Sequence, residues 1–270
     1  MSTSTIHVFS TLLLFLSITF ASASACDWCA QQTKASFFSS PGPLKVGACG
    51  YGAMATQLYN GYIAAAGPAL FREGDSCGNC FEVRCKDERL CKKEGVKVIV
   101  TDNSRTNQTG FVLSKEAFIA LGHDGMAHDL MQHRNLDVEF RSRTPCEYNK
   151  NLSIRVEERS RKPGHLTIKF LYQGGQTDIM ALEVAQVGSL VWQYMSQRTG
   201  PIWSTPRAPL GPLRFRLVVT GGFDGKWVWT EEEVLPANWK IGELYDAKVQ
   251  IKDIAQESCC PDNSYRERWR

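Results

Sequence analysis

Apolar and polar positions alternate with a period of two over much of this chain, which predicts strands rather than helices. In the first half Phe81-Glu82-Val83-Arg84, part of Val96–Val100, and Leu136-Asp137-Val138-Glu139-Phe140 alternate. In the second half His165–Tyr172 puts Leu166, Ile168 and Phe170 on one face and Thr167, Lys169 and Leu171 on the other. Ile179–Val187, Arg214–Thr220, Lys226–Thr230 and Ala247–Ile251 continue the series. Turns at Gly174-Gly175, Gly221-Gly222 and Asp224-Gly225 separate them. One short helix is expected over Ser114–Leu121, with Ser114 as its N-cap and Glu116 and Ala117 in its first turn. The fold class is therefore all-β. Short strands with one or two helical turns suggest a compact β-barrel. Strand after strand without helices suggests a β-sandwich of roughly 100 residues.

The start of the chain reads differently. Leu12–Phe20 is almost wholly apolar, and Ala21–Ala25 follows with small residues. The run is too short to cross a bilayer as a helix and has the form of a secretory signal. The mature chain is expected to be soluble and secreted, with no membrane contact after signal cleavage. All ten cysteines follow that segment, an even number in an oxidising compartment, so disulfides are the default. After Cys146 no cysteine occurs until Cys259, and Pro145 and Asn149-Lys150-Asn151 supply linker chemistry there. These shifts divide the chain into a signal peptide (1–25), a barrel domain (26–147), a sandwich (148–251) and a polar tail (252–270). Asn107-Gln108-Thr109 and Asn151-Leu152-Ser153 are N-glycosylation acceptors in turn-like sequence. Lys+Arg 31 against Asp+Glu 28 gives a net charge of only +3, without the basic excess that phosphate-backbone binding needs, so no nucleic-acid partner is expected.

Several motifs invite chemistry and fail on context. Cys77-Gly78-Asn79-Cys80 has redox spacing, but it runs into the strand Phe81–Cys85 rather than opening a helix, whose dipole would lower the thiol pKa. Cys26 and Cys29 lie too far from Cys77 and Cys80 for a zinc ribbon. His123, His128 and His133 recur every five residues, which on a helix sets neighbours about 140° apart and off one face. No nucleophile elbow or phosphate-binding glycine loop is present. No metal or organic cofactor is implied. Asp102 stands apart: it ends the apolar strand Val96–Thr101 and enters a polar loop, where a carboxylate can serve catalysis or sugar binding, or form a turn through its own backbone.

GACGYG at Gly47–Gly52, Ala69-Leu70-Phe71, SCGNCFEVRC at Ser76–Cys85 and VTDNS at Val100–Ser104 occur in the order and at the spacing of the plant expansin first domain, which the chain resembles. Ala35-Ser36-Phe37-Phe38 sits where expansins carry Ala-Thr-Phe-Tyr. Thr199-Gly200-Pro201-Ile202-Trp203 and Leu235-Pro236-Ala237-Asn238-Trp239 sit at the positions of two motifs of the expansin carbohydrate-binding sandwich. The Cys-x-x-Cys after the signal and the short tail resemble the expansin-like A branch. The resemblance implies a six-stranded double-psi β-barrel, related to family-45 glycoside hydrolases, followed by an immunoglobulin-like carbohydrate-binding β-sandwich. It also implies that Cys49, Cys77, Cys80, Cys85, Cys91 and Cys146 pair among themselves, while Cys26, Cys29, Cys259 and Cys260 keep several possible partners.

One departure changes the functional expectation. Where most expansins have His-Phe-Asp-Leu-Ser, this chain has Gly110-Phe111-Val112-Leu113-Ser114. Inverting glycoside hydrolysis needs two carboxyl groups, and Val112 cannot donate a proton. Glu116, one helical turn on, is expected to face solvent. The resemblance therefore implies a non-hydrolytic, monomeric wall protein, extracellular in the plant cell wall, that binds cellulose, xyloglucan or another matrix glycan. By motif position its glycan platform would be Trp203 and Tyr172, with Trp239 next and Trp192 able to join. Tyr51, Phe38 and Tyr59 would line the barrel groove beside Asp102. Trp227 and Trp229 share one strand face and form either core or a second patch. The rival readings are a weak endoglucanase using Asp102 and a barwin-like secreted glycan-binding or defence module.

Overall fold

The computed structural model describes residues 30–39, 47–105, 108–175, 177–221, 225–230, 232–252 and 254. The signal-like segment, Cys26, Cys29, Cys259, Cys260 and Asn107 lie outside them.

Six strands close a barrel in the order β1-β5-β2-β4-β3-β6: β1 (Gln31–Phe37), β2 (Ile63–Ala66), β3 (Cys80–Cys85), β4 (Val96–Asn103), β5 (Phe111–Leu113) and β6 (Leu136–Thr144). β1 runs parallel to β5 and β2 parallel to β4, while the other pairs are antiparallel. The alternation in β3 and β6 sends Phe81, Val83, Val138 and Phe140 inward. There Phe111 meets Phe81 at 5.4 Å and Phe140 at 5.2 Å, both edge to face. Such contacts add about 0.5–1.5 kcal/mol each beyond area burial. Three short helices flank the barrel: α1 (Pro68–Phe71), α2 (Lys115–Ala120) and α3 (Ala127–Gln132). Ser114 caps α2 as its sequence predicts, its Oγ accepting from the Ala117 N–H at 3.2 Å.

The remaining strands form one folded sheet, in the order β13-β12-β9-β10-β11-β8-β7-β14. They are β7 (Ser153–Val156), β8 (Leu166–Leu171), β9 (Asp178–Gln186), β10 (Gln193–Thr199), β11 (Ile202–Thr205), β12 (Leu213–Thr220), β13 (Gly225–Trp229) and β14 (Leu244–Asp246). β10 pairs with β9 through Met195 and with β11 from Ser196 on, the second ladder carrying an irregularity between Gln197 and Thr199. Strands that switch partners in this way turn the corner of a sandwich. Leu182, Val184, Leu213, Phe215, Leu217 and Val219 of one layer face Ile154, Val156, Ile168 and Phe170 of the other. The strand expected over Ala247–Ile251 is absent, and the chain pairs earlier, through β14. β10 and β11 carry too little alternation to be read from sequence, whereas β7 alternates over its four residues, Ser153-Ile154-Arg155-Val156, beside the expected linker.

Alternation in β8 suggests one wet face, yet all six of its residues are buried. The barrel covers the second face. Leu171 joins the barrel's core, and the Gly50 backbone approaches Ile202 and Lys169 closely. Lys169 tolerates burial because its Nζ pairs with Glu157 at 2.9 Å.

Among the described residues three disulfides brace the barrel: Cys49–Cys77, Cys80–Cys146 and Cys85–Cys91. They divide the two cysteines of the Cys-x-x-Cys sequence between different bridges, which rules out a redox pair there. Asp178 joins the two units. Its carboxylate accepts two bonds from Arg72 (2.9 and 3.0 Å), one from Arg143 (2.9 Å) and one from Asn79 (2.8 Å). Beside it Gly200, at φ +52°, lies where a Cβ would fall 2.6 Å from the Cys77 sulfur, so only glycine fits that approach.

Candidate functional site

Four residues stand in register across four strands of the barrel wall, three of them partly exposed and Ala65 fully buried. Asp102 of β4 pairs with Ala65 of β2, Ala65 with Val112 of β5, and Val112 with Ser36 of β1. Paired residues project to the same side of a sheet. Phe111 and Leu113 point into the barrel, so Val112 between them points out, half-exposed. Two inter-strand steps of about 4.8 Å set the Asp102 and Val112 backbones roughly 10 Å apart. The register therefore sets Val112 two strands from Asp102 on the outward side of the barrel wall.

Asp102 is itself engaged. Its Oδ1 accepts from the Ala48 N–H at 2.6 Å and from the Asn103 N–H at 2.8 Å. The loop it ties down can lie this close because Gly47 lacks a side chain, as a Cβ there would meet the Thr101 carbonyl oxygen at 2.4 Å. The carboxylate thus ties the loop at Ala48, 54 residues away, to its own strand end as well as bonding the next backbone N–H. Glu116 is exposed, as expected. His123, His128 and His133 are exposed too, and among the described residues no group of three His, Cys, Asp or Glu gathers as metal ligands would.

The structure corrects three of the five aromatic residues expected to bind glycan. Trp203 is 1% exposed and pairs with Ile168 in the sandwich core. A ring sealed between two sheets cannot stack on a sugar. Trp239 is 8% exposed in the same core, with the Lys162 ammonium 4.5 Å from its ring centroid. Tyr51 is 2% exposed, and burial pushes its phenol pKa up. The other two keep partial access. Phe38 is half-buried against the barrel core, its N–H donating to the Leu113 carbonyl at 3.0 Å. Tyr172 is half-buried at the junction, edge-on to Tyr148 at 5.2 Å and beneath the Lys150 ammonium at 4.7 Å. Tyr59 also stands edge-on to Tyr148, at 6.1 Å, so Tyr148 touches both a barrel ring and Tyr172.

The exposed rings of the sandwich lie on the outer face of β10, β9, β12 and β13. Tyr194 pairs with Glu183, Glu183 with Arg216, and Arg216 with Trp229, all in direct register. Trp227, two residues along β13, shares that face. Tyr194 is 53% exposed, Trp229 50% and Trp227 46%. The Arg216 guanidinium carbon lies 4.4 Å from the Trp192 ring centroid, 4.8 Å from that of Trp227 and 5.0 Å from that of Trp229. The same guanidinium pairs with Glu183. Trp192 stands edge-on to Trp229 at 5.2 Å. Of this group the sequence offers Trp192, Trp227 and Trp229 as candidates, whereas Tyr194, Glu183 and Arg216 need the pairing register to be found. The inward run Leu213, Phe215, Leu217 and Val219 was the available signal, since it assigns Arg216 and Val218 to the outer face.

Comparison with known proteins places this geometry. A model described as "Expansin C-terminal domain" matches residues 152–236, and a double-psi β-barrel model described as "Lytic transglycolase" matches residues 63–140. Expansin-like A2 of Arabidopsis thaliana is 51% identical over 259 residues, covering 95% of this chain and 96% of its own. Expansin-like A3 of Oryza sativa subsp. japonica is 52% identical over 243 residues, 88% of each chain. Among solved structures, an apo-expansin of Clavibacter michiganensis superposes with a TM-score of 0.63 at 18% identity, covering 84% of this chain and all of its own. A mutant of that expansin, solved in complex with cellohexaose, superposes with a TM-score of 0.61.

Proposed function

The chain belongs to the plant expansin family, in its expansin-like A branch, and from that premise we propose that it is a secreted cell-wall protein that binds wall glycans and disturbs their non-covalent contacts without cutting them. In this reading residues 1–25 are a cleaved signal, 26–147 the barrel domain and 148–251 the glycan-binding sandwich. The observation that carries the reading is the register of Asp102, Ala65 and Val112. Among the described residues of that row Asp102 is the one carboxylate, it already holds two backbone N–H groups, and the isopropyl group of Val112 has no proton to give a leaving sugar oxygen. Loss of a general acid alone costs roughly 10²–10⁴ in rate. What the groove retains suits holding a chain: the half-buried Phe38 ring, the Ser36 hydroxyl and the Asp102 carboxylate. The cellohexaose complex of a structural neighbour supports glycan as the ligand class, cellulose or a matrix glycan such as xyloglucan.

Two measurements test this reading. The full secreted chain should be retained on cellulose and pass through chitin; retention on chitin alone would favour the barwin-like alternative. On heat-killed wall strips it should give creep well below that of an ordinary expansin, and Val112→Asp should raise it. Val112 is half-buried and points outward, so the added carboxyl can reach water. Creep by the unaltered chain equal to an ordinary expansin's would remove Val112 from the account.

A further inference from the structure

We propose that the transverse row Tyr194–Glu183–Arg216–Trp229, with Trp227 beside it, is a glycan-binding strip of its own, built for an uncharged polysaccharide lying across the strands. It rests on the wall-glycan reading for its ligand class but uses no residue of the barrel groove. The row has an aromatic ring at each end and an ion pair in the middle, in register over four strands. Three steps of about 4.8 Å make it roughly 14 Å long, the reach of a short oligosaccharide. Pyranose rings offer C–H faces and a rim of hydroxyls. The C–H faces fit exposed indole and phenol rings, and the hydroxyls fit carboxylate and guanidinium groups set between those rings.

Three features favour this occupant. Three half-exposed rings, at about 150–250 Å² for each whole side chain, offer roughly 300 Å². A stable protein interface needs about 800 Å² from each partner, so a second protein chain is a poor fit. The Arg216 charge, at the centre of the row, is matched by Glu183 in contact with it and lies among three indoles, while the second cation on this face, Arg214, stands off the row against Trp192 and donates to the Ser189 carbonyl. Trp227 and Trp229 are also held in place: they lie 6.4 Å apart, tilted by 44°, with Arg216 between them and Trp192 edge-on behind. Rings held in this way lose little freedom on binding.

The test uses the full secreted chain in affinity electrophoresis with hydroxyethylcellulose as the uncharged probe and polygalacturonate as the acidic one. Trp227→Ala/Trp229→Ala should weaken binding to hydroxyethylcellulose roughly tenfold, about 1.4 kcal/mol, with the thermal midpoint and the monomeric state unchanged. Tyr194→Ala should weaken it less, and binding to polygalacturonate should not exceed that to hydroxyethylcellulose. Equal binding by the double variant and the parent chain would overturn the strip and leave the wall-glycan reading standing. Stronger binding to polygalacturonate would overturn the uncharged ligand. A self-associating parent chain that the double variant makes monomeric would assign the face to protein contact instead. A parent chain that binds no wall glycan would remove both proposals.

Discussion

Trp203→Ala is expected to destabilise the protein by about 3–5 kcal/mol, the usual cost of truncating a fully buried aromatic ring. Trp203 is 1% exposed and is the largest fully buried side chain described. It sits on β11 opposite Ile168, among Phe170, Leu182 and Val184. Its removal leaves a void that the flanking strands close only in part. At about 2–4 °C per kcal/mol for a chain of this size, the thermal midpoint should fall by roughly 10 °C. Well below that midpoint, glycan affinity should stay within about twofold, because no part of the ring reaches the surface. Differential scanning calorimetry and affinity electrophoresis on one preparation separate the possibilities. An unchanged midpoint with lost binding would restore Trp203 to the surface role its motif position suggests.

Asp178→Ala is expected to cost a similar amount for a different reason. The Asp178 side chain is 7% exposed and Arg143 10%, and the carboxylate accepts from Arg72, Arg143 and Asn79 at once. Removing Asp178 takes a carboxylate acceptor from the buried Arg143 and from the partly exposed Arg72, and losing one partner of a buried ion pair typically costs about 3–5 kcal/mol. Asp178 opens β9 in the sandwich while Arg72, Asn79 and Arg143 belong to the barrel, so the loss falls on the contact between the units. Calorimetry should show an early melting step separating from the main transition. Asp178→Asn keeps the shape and part of the bonding, and should fall between the parent and the alanine variant. A single transition at the parent temperature in Asp178→Ala would show that the junction is held by other contacts.

The sequence revealed the fold more fully than the surface, for a physical reason. Period-two alternation reports which residues of a strand share a face, and it located β3, β6, β9 and β12 well. It does not say which face meets the core when both sides carry large apolar rings. Trp203 and Trp227 are both tryptophans on strands, and only pairing separates them. Trp203 pairs with Ile168 deep in the sandwich, while Trp227 pairs with the outward Val218 on the edge strand. The burial of Tyr51 and of the Lys169 face of β8 arises from the barrel docking on the sandwich, a contact between distant segments that no local pattern carries. That Val112 stands where expansins carry an aspartate is what the resemblance implies. The position of Val112 two strands from Asp102 required the β2–β5 register.

The claim that most depends on that register is that the groove holds glycan chains and leaves them whole. It is tested most directly by incubating the full chain with amorphous cellulose and measuring, on the same sample, protein retained and reducing ends released. The account predicts retention with no reducing ends above the protein-free blank. Reducing ends that appear with the unaltered chain and vanish with Asp102→Asn would contradict it.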